Sequence, residues 1–228
     1  MIDIFIKSYR NDFKWLYYAF KSITKYVSGY NELIIAISKE DSKHFDYKKL
    51  PEKSRVVIVD EYGNGYLFQQ VVKLQAYKYC NSNFIMFSDS DCIFDHEINL
   101  LDFIKNDKPE ILYTHYSKVE NAIIWKKPTE DFIKRPVEYE MMRRNNQIIH
   151  KQTLININEY EKNLEYIIMN SERFSEFNAM CVYAYFYEPD KYTFINTDNW
   201  TYVPPKGKQY HSWTEYDKMI KDFGKKLK

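Results

Sequence analysis

The chain has 228 residues, 45% of them apolar, and a formal charge of +1. That length suits one domain able to bury a sizeable core. The near-cancelled charge excludes a protein whose whole surface is a polyanion-binding field, while leaving room for a local basic patch. Cys80, Cys92 and Cys181 show no short pairing, so neither a disulfide framework nor a zinc site is implied. The N-terminal run MIDIFIKSYR contains Asp3 and is too short and too acidic for a signal peptide. No apolar run approaches the ~20 residues needed to span a bilayer. The expected setting is cytoplasmic, without membrane insertion. The 22 Tyr and 15 Phe fit either AT-rich coding or an aromatic-lined site.

In chain order, Ile2 to Tyr9 reads as a buried strand, and Asn11-Asp12 as the cap of a helix running to Gly29. Glu32 to Ser38 and Arg55 to Asp60 read as strands, Leu67 to Cys80 as a helix, and NFIMFSDSD as a fourth strand. Strands this continuously apolar are covered on both faces, which means an open α/β sheet. Beyond Asp95 the pattern predicts a strand over Glu110 to Ser117 and a mainly helical stretch from Pro128 to Asn145, broken at Pro136. A short strand QIIHKQ, a helix over Ile157 to Met169, a helix from Ser171 to Tyr187 and a strand KYTFIN follow. A loop KGKQYHSW and a Lys-rich helix end the chain.

The stretch FIMFSDSDCIF puts Asp89 and Asp91 at the end of a buried strand. In open α/β sheets ligands bind beyond such carboxyl ends. Two like charges this close call for a cation near them. Hard carboxylate oxygens suit Mg²⁺ or Mn²⁺, which take further ligands from water and substrate phosphates. The plainer reading of Asp89-Ser90-Asp91 is a turn or helix cap.

Asp-x-Asp after an apolar strand in mid-chain resembles the metal motif of GT-A-fold glycosyltransferases, which move a sugar from a nucleotide-sugar donor. GYLFQQVVKLQAY, Gly65 to Tyr77, resembles the helix preceding the DSD strand in a subgroup of small bacterial and phage members. FSEFN, Phe174 to Asn178, resembles their catalytic-base segment, and QYHSW, Gln209 to Trp213, their C-terminal His loop. The similarity runs in order from Ile2 to Trp213. Residues 118–150 match nothing placed. The resemblance implies a GT-A-like, Rossmann-type mixed sheet flanked by helices in one continuous domain. Residues 1–117 would form the donor half, and 118–228 the acceptor half with the base and the His loop.

It also implies roles. KSYRND, Lys7 to Asp12, falls where that fold receives base and ribose, which brings in Ser8, Tyr9 and Asp12. Asp91 and His211 would hold the metal, with Asp89 on metal or ribose and Ser90 on the donor. Gln69 and Lys73 share a helix face. Lys73 could neutralise a diphosphate, and Gln69 and Gln70 could bond sugar hydroxyls; a solvated face is the alternative. Tyr9 and Tyr66 could stack on a base or simply pack in the core. Glu176 is the candidate general base of an inverting transfer, or a capping carboxylate, and Asn178 could orient the acceptor. His150 is a weaker acceptor-side candidate.

The expected donor is a nucleoside-diphosphate sugar, UDP-sugar by base rate. The acceptor is a glycan, a small molecule or a hydroxymethylated DNA base. DNA would bind through the basic segments 141–151 and 206–228, the latter with seven Lys against three acids. Monomer and homodimer are both open. Three rivals stand. A haloacid-dehalogenase-like phosphatase would want Thr or Val where Ile93 stands. A nucleotidyltransferase would want a Gly-rich loop after the first strand. A non-catalytic sugar- or partner-binding domain would not need Asp89, Asp91, Glu176 and His211 together.

Overall fold

The computed structural model describes residues 1–201, 207–210 and 214–223. The first strand, β1 (Ile2–Lys7), is buried throughout and leads into α1 (Phe13–Tyr26). After β2 (Val27–Ser28), the chain returns as β3 (Glu32–Ser38) and crosses to β4 (Ser54–Val59). Helix α2 (Gly65–Leu74) then carries it to β5 (Phe84–Phe87). The two-residue strands β6 (Cys92–Ile93), β7 (Ile98–Asn99) and β8 (Ile104–Lys105) precede β9 (Lys108–His115) and α3 (Lys126–Ile133). The remainder is β10 (Tyr139–Glu140), β11 (Ile148–His150), α4 (Lys151–Tyr160), α5 (Leu164–Met169), α6 (Glu176–Tyr187), β12 (Thr193–Asn196), β13 (Lys208–Gln209) and α7 (Tyr216–Phe223).

The central sheet has the order β11-β5-β1-β3-β4. Its inner pairs are parallel and β11 is an antiparallel edge on β5. Strand alternation divides the core into two layers. Ile2, Ile4 and Ile6 of β1, with Leu33, Ile35 and Ile37 of β3, pack on Leu16, Phe20 and Ile23 of α1. Phe5, Ile34, Ala36, Ile85 and Phe87 face the other way, onto α2 and α6. That second layer joins residues from both halves of the chain, so one core serves both. Each fully buried side chain of this size contributes about 1.5–3 kcal/mol. This is a mixed α/β domain with a Rossmann-like central sheet flanked by helices. A second small sheet, β10-β9-β12, lies beyond it.

Several predicted boundaries shift, each for a local reason. Helix α2 stops at Leu74 instead of Cys80, where the Asn158 side-chain amide donates to the Leu74 carbonyl at 3.0 Å. A short 3-10 turn, Ala76–Lys78, follows. Helix α3 ends at Lys134, which adopts φ 58°, and Pro136 forbids continuation. The span predicted as Ile157–Met169 is two helices. Glu161 is extended, and its carboxylate accepts from Asn163 N at 3.0 Å and Lys134 Nζ at 2.8 Å. The predicted strand QIIHKQ is β11 only to His150, because Lys151 already starts α4. Helix α6 begins at Glu176, not Ser171, with Ser175 as its cap. No helix among the described residues is long and apolar enough to cross a membrane.

Candidate functional site

The sheet order changes direction at β1: β3 lies on one side and β5 on the other. The crevice at such a switch point is where α/β sheets take ligands. Here it opens into a cleft of about 580 Å³. Its floor is stitched by short bonds. Ser8 N donates to Ala36 O at 2.9 Å and Ser88 N to Phe5 O at 3.1 Å. The Ser90 hydroxyl donates to Ser8 Oγ at 2.8 Å, tying the ends of β5 and β1 together.

Asp89 and Asp91 converge through a turn closed by Cys92 N on Asp89 O at 3.1 Å, not through strand alternation. Ligand atoms of Asp89, Asp91 and Cys92 lie within 4.8 Å of one another. One cation reaches Asp89 from α2. Lys73 Nζ sits 2.7 Å from Asp89 Oδ1 and 2.7 Å from Glu176 Oε1, with its side chain 3% exposed. Burial alone would push the ammonium's pKa down. The Asp89 and Glu176 carboxylates and their hydrogen bonds more than offset this and hold it above its ordinary value.

Other elements fix the base candidate. Ser175 Oγ accepts from Asn178 N at 3.2 Å, capping α6. Gln70 Oε1 accepts from Glu176 N at 3.1 Å. Gln70 is therefore not on a solvated face; it is 1% exposed and spends its side chain holding the start of α6. Lys7 Nζ bonds Glu61 Oε2 at 2.8 Å and Ser8 O at 3.0 Å, a neutral pair on the cleft wall. Strand β13 pairs with β6, Tyr210 N donates to Asp91 O at 3.1 Å, and Gln209 Nε2 reaches Asp89 Oδ2 at 3.3 Å.

Ser8, Tyr9, Asp12, Tyr66, Gln69, Gln70, Lys73, Asp89, Ser90, Asp91 and Glu176 all line this one cleft. Tyr9 and Tyr66 are exposed wall residues instead of core packing. Asn178 is a correction: it is fully buried, outside the lining, and its Oδ1 accepts from Met141 N at 2.9 Å. It orders the backbone at Met141 instead of facing the cleft. His150 is another, since its Nε2 lies 3.0 Å from Lys191 O, away from the cleft. His211 lies outside the described residues. In the basic segment 141–151, Arg143 pairs with Glu140, Arg144 with Glu110, and Lys151 Nζ donates to Cys80 O. The remaining basic segment, 206–228, lies partly outside the described residues. Lys7, Glu61, Trp125 and Gln209 line the cleft without having been singled out. Lys7 could have been found from its place at the carboxyl end of β1, whereas Trp125 carries no sequence signal.

The donor set fits a hard divalent cation. Among the described residues, Asp89, Asp91 and Glu176 line the cleft, and Lys73 Nζ is paired with Asp89 and Glu176. Cys92 suits a hard cation less well than the two carboxylates do. Burial first, then the Asp89 and Asp91 charges, push its thiol well above the usual range. Its sulfur is also a soft donor, whereas hard cations such as Mg²⁺ and Mn²⁺ favour carboxylate oxygen.

Neither a protein-family model nor a curated protein matches the sequence. Among solved structures, the chain is similar to 4-diphosphocytidyl-2C-methyl-D-erythritolsynthase from Anaerococcus prevotii DSM 20548. The TM-score is 0.56 at 14% identity, covering 100% of this chain and 96% of that one. At that identity the likeness shows the fold alone.

Proposed function

We propose that this chain is a divalent-metal-dependent glycosyltransferase, taking a sugar from a nucleoside-diphosphate sugar, UDP-sugar first, to a hydroxyl acceptor. The observation that carries this reading is the Asp89–Lys73–Glu176 bridge at the switch-point cleft. It links a metal-side carboxylate and a base candidate through one buried ammonium. The volume of about 580 Å³ suits a nucleotide-sized ligand.

Asp91 and Asp89 would hold Mn²⁺ or Mg²⁺, which when bound supplies Lewis-acid neutralisation of a leaving diphosphate. Tyr9 and Tyr66 offer ring faces to a base, and Gln69 an amide to donor hydroxyls. Lys73 fixes the Glu176 carboxylate through Oε1. Glu176 takes the proton of the acceptor hydroxyl as its oxygen bonds to the anomeric carbon. The bond from that carbon to phosphate oxygen breaks, and its electron pair leaves with the nucleoside diphosphate. A single displacement of this kind inverts the anomeric centre.

A second reading, nucleotidyl transfer, is favoured by the structural neighbour, a 4-diphosphocytidyl-2C-methyl-D-erythritolsynthase. Against it, β1 is followed by a 3-10 turn, Arg10–Asp12, and α1, with no Gly-rich phosphate loop. Incubation with nucleotide-sugars and with nucleoside triphosphates, assayed for released diphosphate or pyrophosphate, separates the two. The transferase reading predicts nucleoside diphosphate from one nucleotide-sugar, and about 10²–10⁴-fold slower release in Glu176→Gln. Pyrophosphate from a triphosphate would establish the second reading instead.

A further inference from the structure

A second cleft lies on the outer side of α1, sharing no lining residue with the first. Its volume is about 690 Å³. Lys14, Tyr18, Lys21 and Lys25 follow one another at helical spacing, so they form one stripe along α1. Lys49 and Pro51 line the same cleft from the β3–β4 connection, and Tyr216 from α7.

Charge and ring faces alternate along this cleft. Lys14 Nζ lies 4.1 Å from the Tyr216 ring centre, Lys49 Nζ 4.2 Å from that of Tyr17, and Lys21 Nζ 5.6 Å from that of Tyr18. Among the described residues four lysines line the cleft and no carboxylate does. Asp46 stands nearby, 3.7 Å from Lys49 Nζ. The whole chain carries only +1, so this is a local concentration of positive charge rather than a sample of a basic surface.

We infer that this cleft binds a short single strand of nucleic acid, lysines on phosphates and tyrosines under bases. A positively charged groove interleaved with aromatic faces is the arrangement that holds single strands without reading sequence. The stripe from Lys14 to Lys25 is about 16 Å long at helical rise, which spans several phosphates and exceeds one nucleotide. The concave shape suits a strand better than a flat bilayer surface. Asp12 of the first cleft stands two residues before Lys14, so a strand on the stripe runs toward that cleft's rim. The inference does not rest on the glycosyltransferase reading, because its residues and its test involve neither metal nor donor.

The test is fluorescence anisotropy of a labelled thymidylate or uridylate oligomer of about 12 nucleotides. It is run with EDTA between about 50 and 200 mM salt. Free UMP, inorganic phosphate and phosphatidylserine vesicles form the other arms. With four phosphates neutralised, the log–log salt slope is expected near about −3. The exposed triple substitution Lys14→Ala, Lys21→Ala, Lys25→Ala should flatten the slope by about 2 and weaken binding at least about tenfold. Tyr18→Ala should weaken binding about 5- to 100-fold and leave the slope unchanged. Oligomer affinity no better than that of UMP or phosphate would overturn the inference. So would a triple variant that binds like the wild type, or binding to vesicles without binding to the oligomer.

Discussion

Single residues carry much of the constraint. Asp3 looks misplaced in an apolar strand, yet it is fully buried and accepts four hydrogen bonds: Asn81 N and Ser82 N at 2.8 Å, Ser82 Oγ at 2.7 Å and Asn31 Nδ2 at 3.0 Å. Burial raises its pKa, and these bonds together lower it below the ordinary 3.8. A depressed folded-state pKa gives stability that is present above about 3.8 and lost as pH falls through the folded value. Asp3→Asn should therefore cost about 1–3 kcal/mol at neutral pH. It should also flatten the acid limb of a urea-denaturation series; an unchanged limb would mean that Asp3 is not the titrating group. Lys73 makes the opposite demand. Lys73→Met removes the cation from between two carboxylates, and chemical denaturation should show a loss of about 3–5 kcal/mol. The carboxylate pair was legible because its repulsion required a cation. The Lys73–Asp89 contact was not legible, because the two meet only through packing across sixteen residues of chain.

At the scale of elements, strands and helices read well where period and apolar content agreed, as in β1, β3 and α1. They read poorly where a side chain from elsewhere ends an element. Asn158 terminates α2 and the Lys134–Glu161 pair separates α4 from α5, and neither partner is visible in a local window. Helix α6 is similar: its apolar residues run round the whole helix, so no stripe marked where it starts. Ser175 marks it instead, and that cap places Glu176 at the first helical position. Ser175→Ala should cost about 1 kcal/mol in thermal or urea unfolding. Under the proposed transferase reading it should also lower turnover, since it displaces Glu176 at the start of α6. A variant with normal turnover would detach the cap from the chemistry.

For the whole molecule, the order of β1, β3, β4 and β5 makes the site. It creates the switch point at which Ser8 and Ser90 meet, and there Lys7, Lys73, Asp89 and Glu176 converge from separate elements. Eleven of the residues expected from sequence share this cleft, because each stood at the end of a strand or on a helix facing one. The second, lysine-lined cleft was not legible. Its walls come from α1, the β3–β4 connection and α7, which only the fold brings together. The most direct test of the central claim is calorimetric titration of UDP, GDP, CDP and TDP, with Mn²⁺ and with EDTA, into the wild type and Asp91→Asn. The account predicts that one nucleotide binds with Mn²⁺, and that EDTA or Asp91→Asn abolishes binding. Folded wild type that binds none of the four, or binds equally with EDTA, would contradict it.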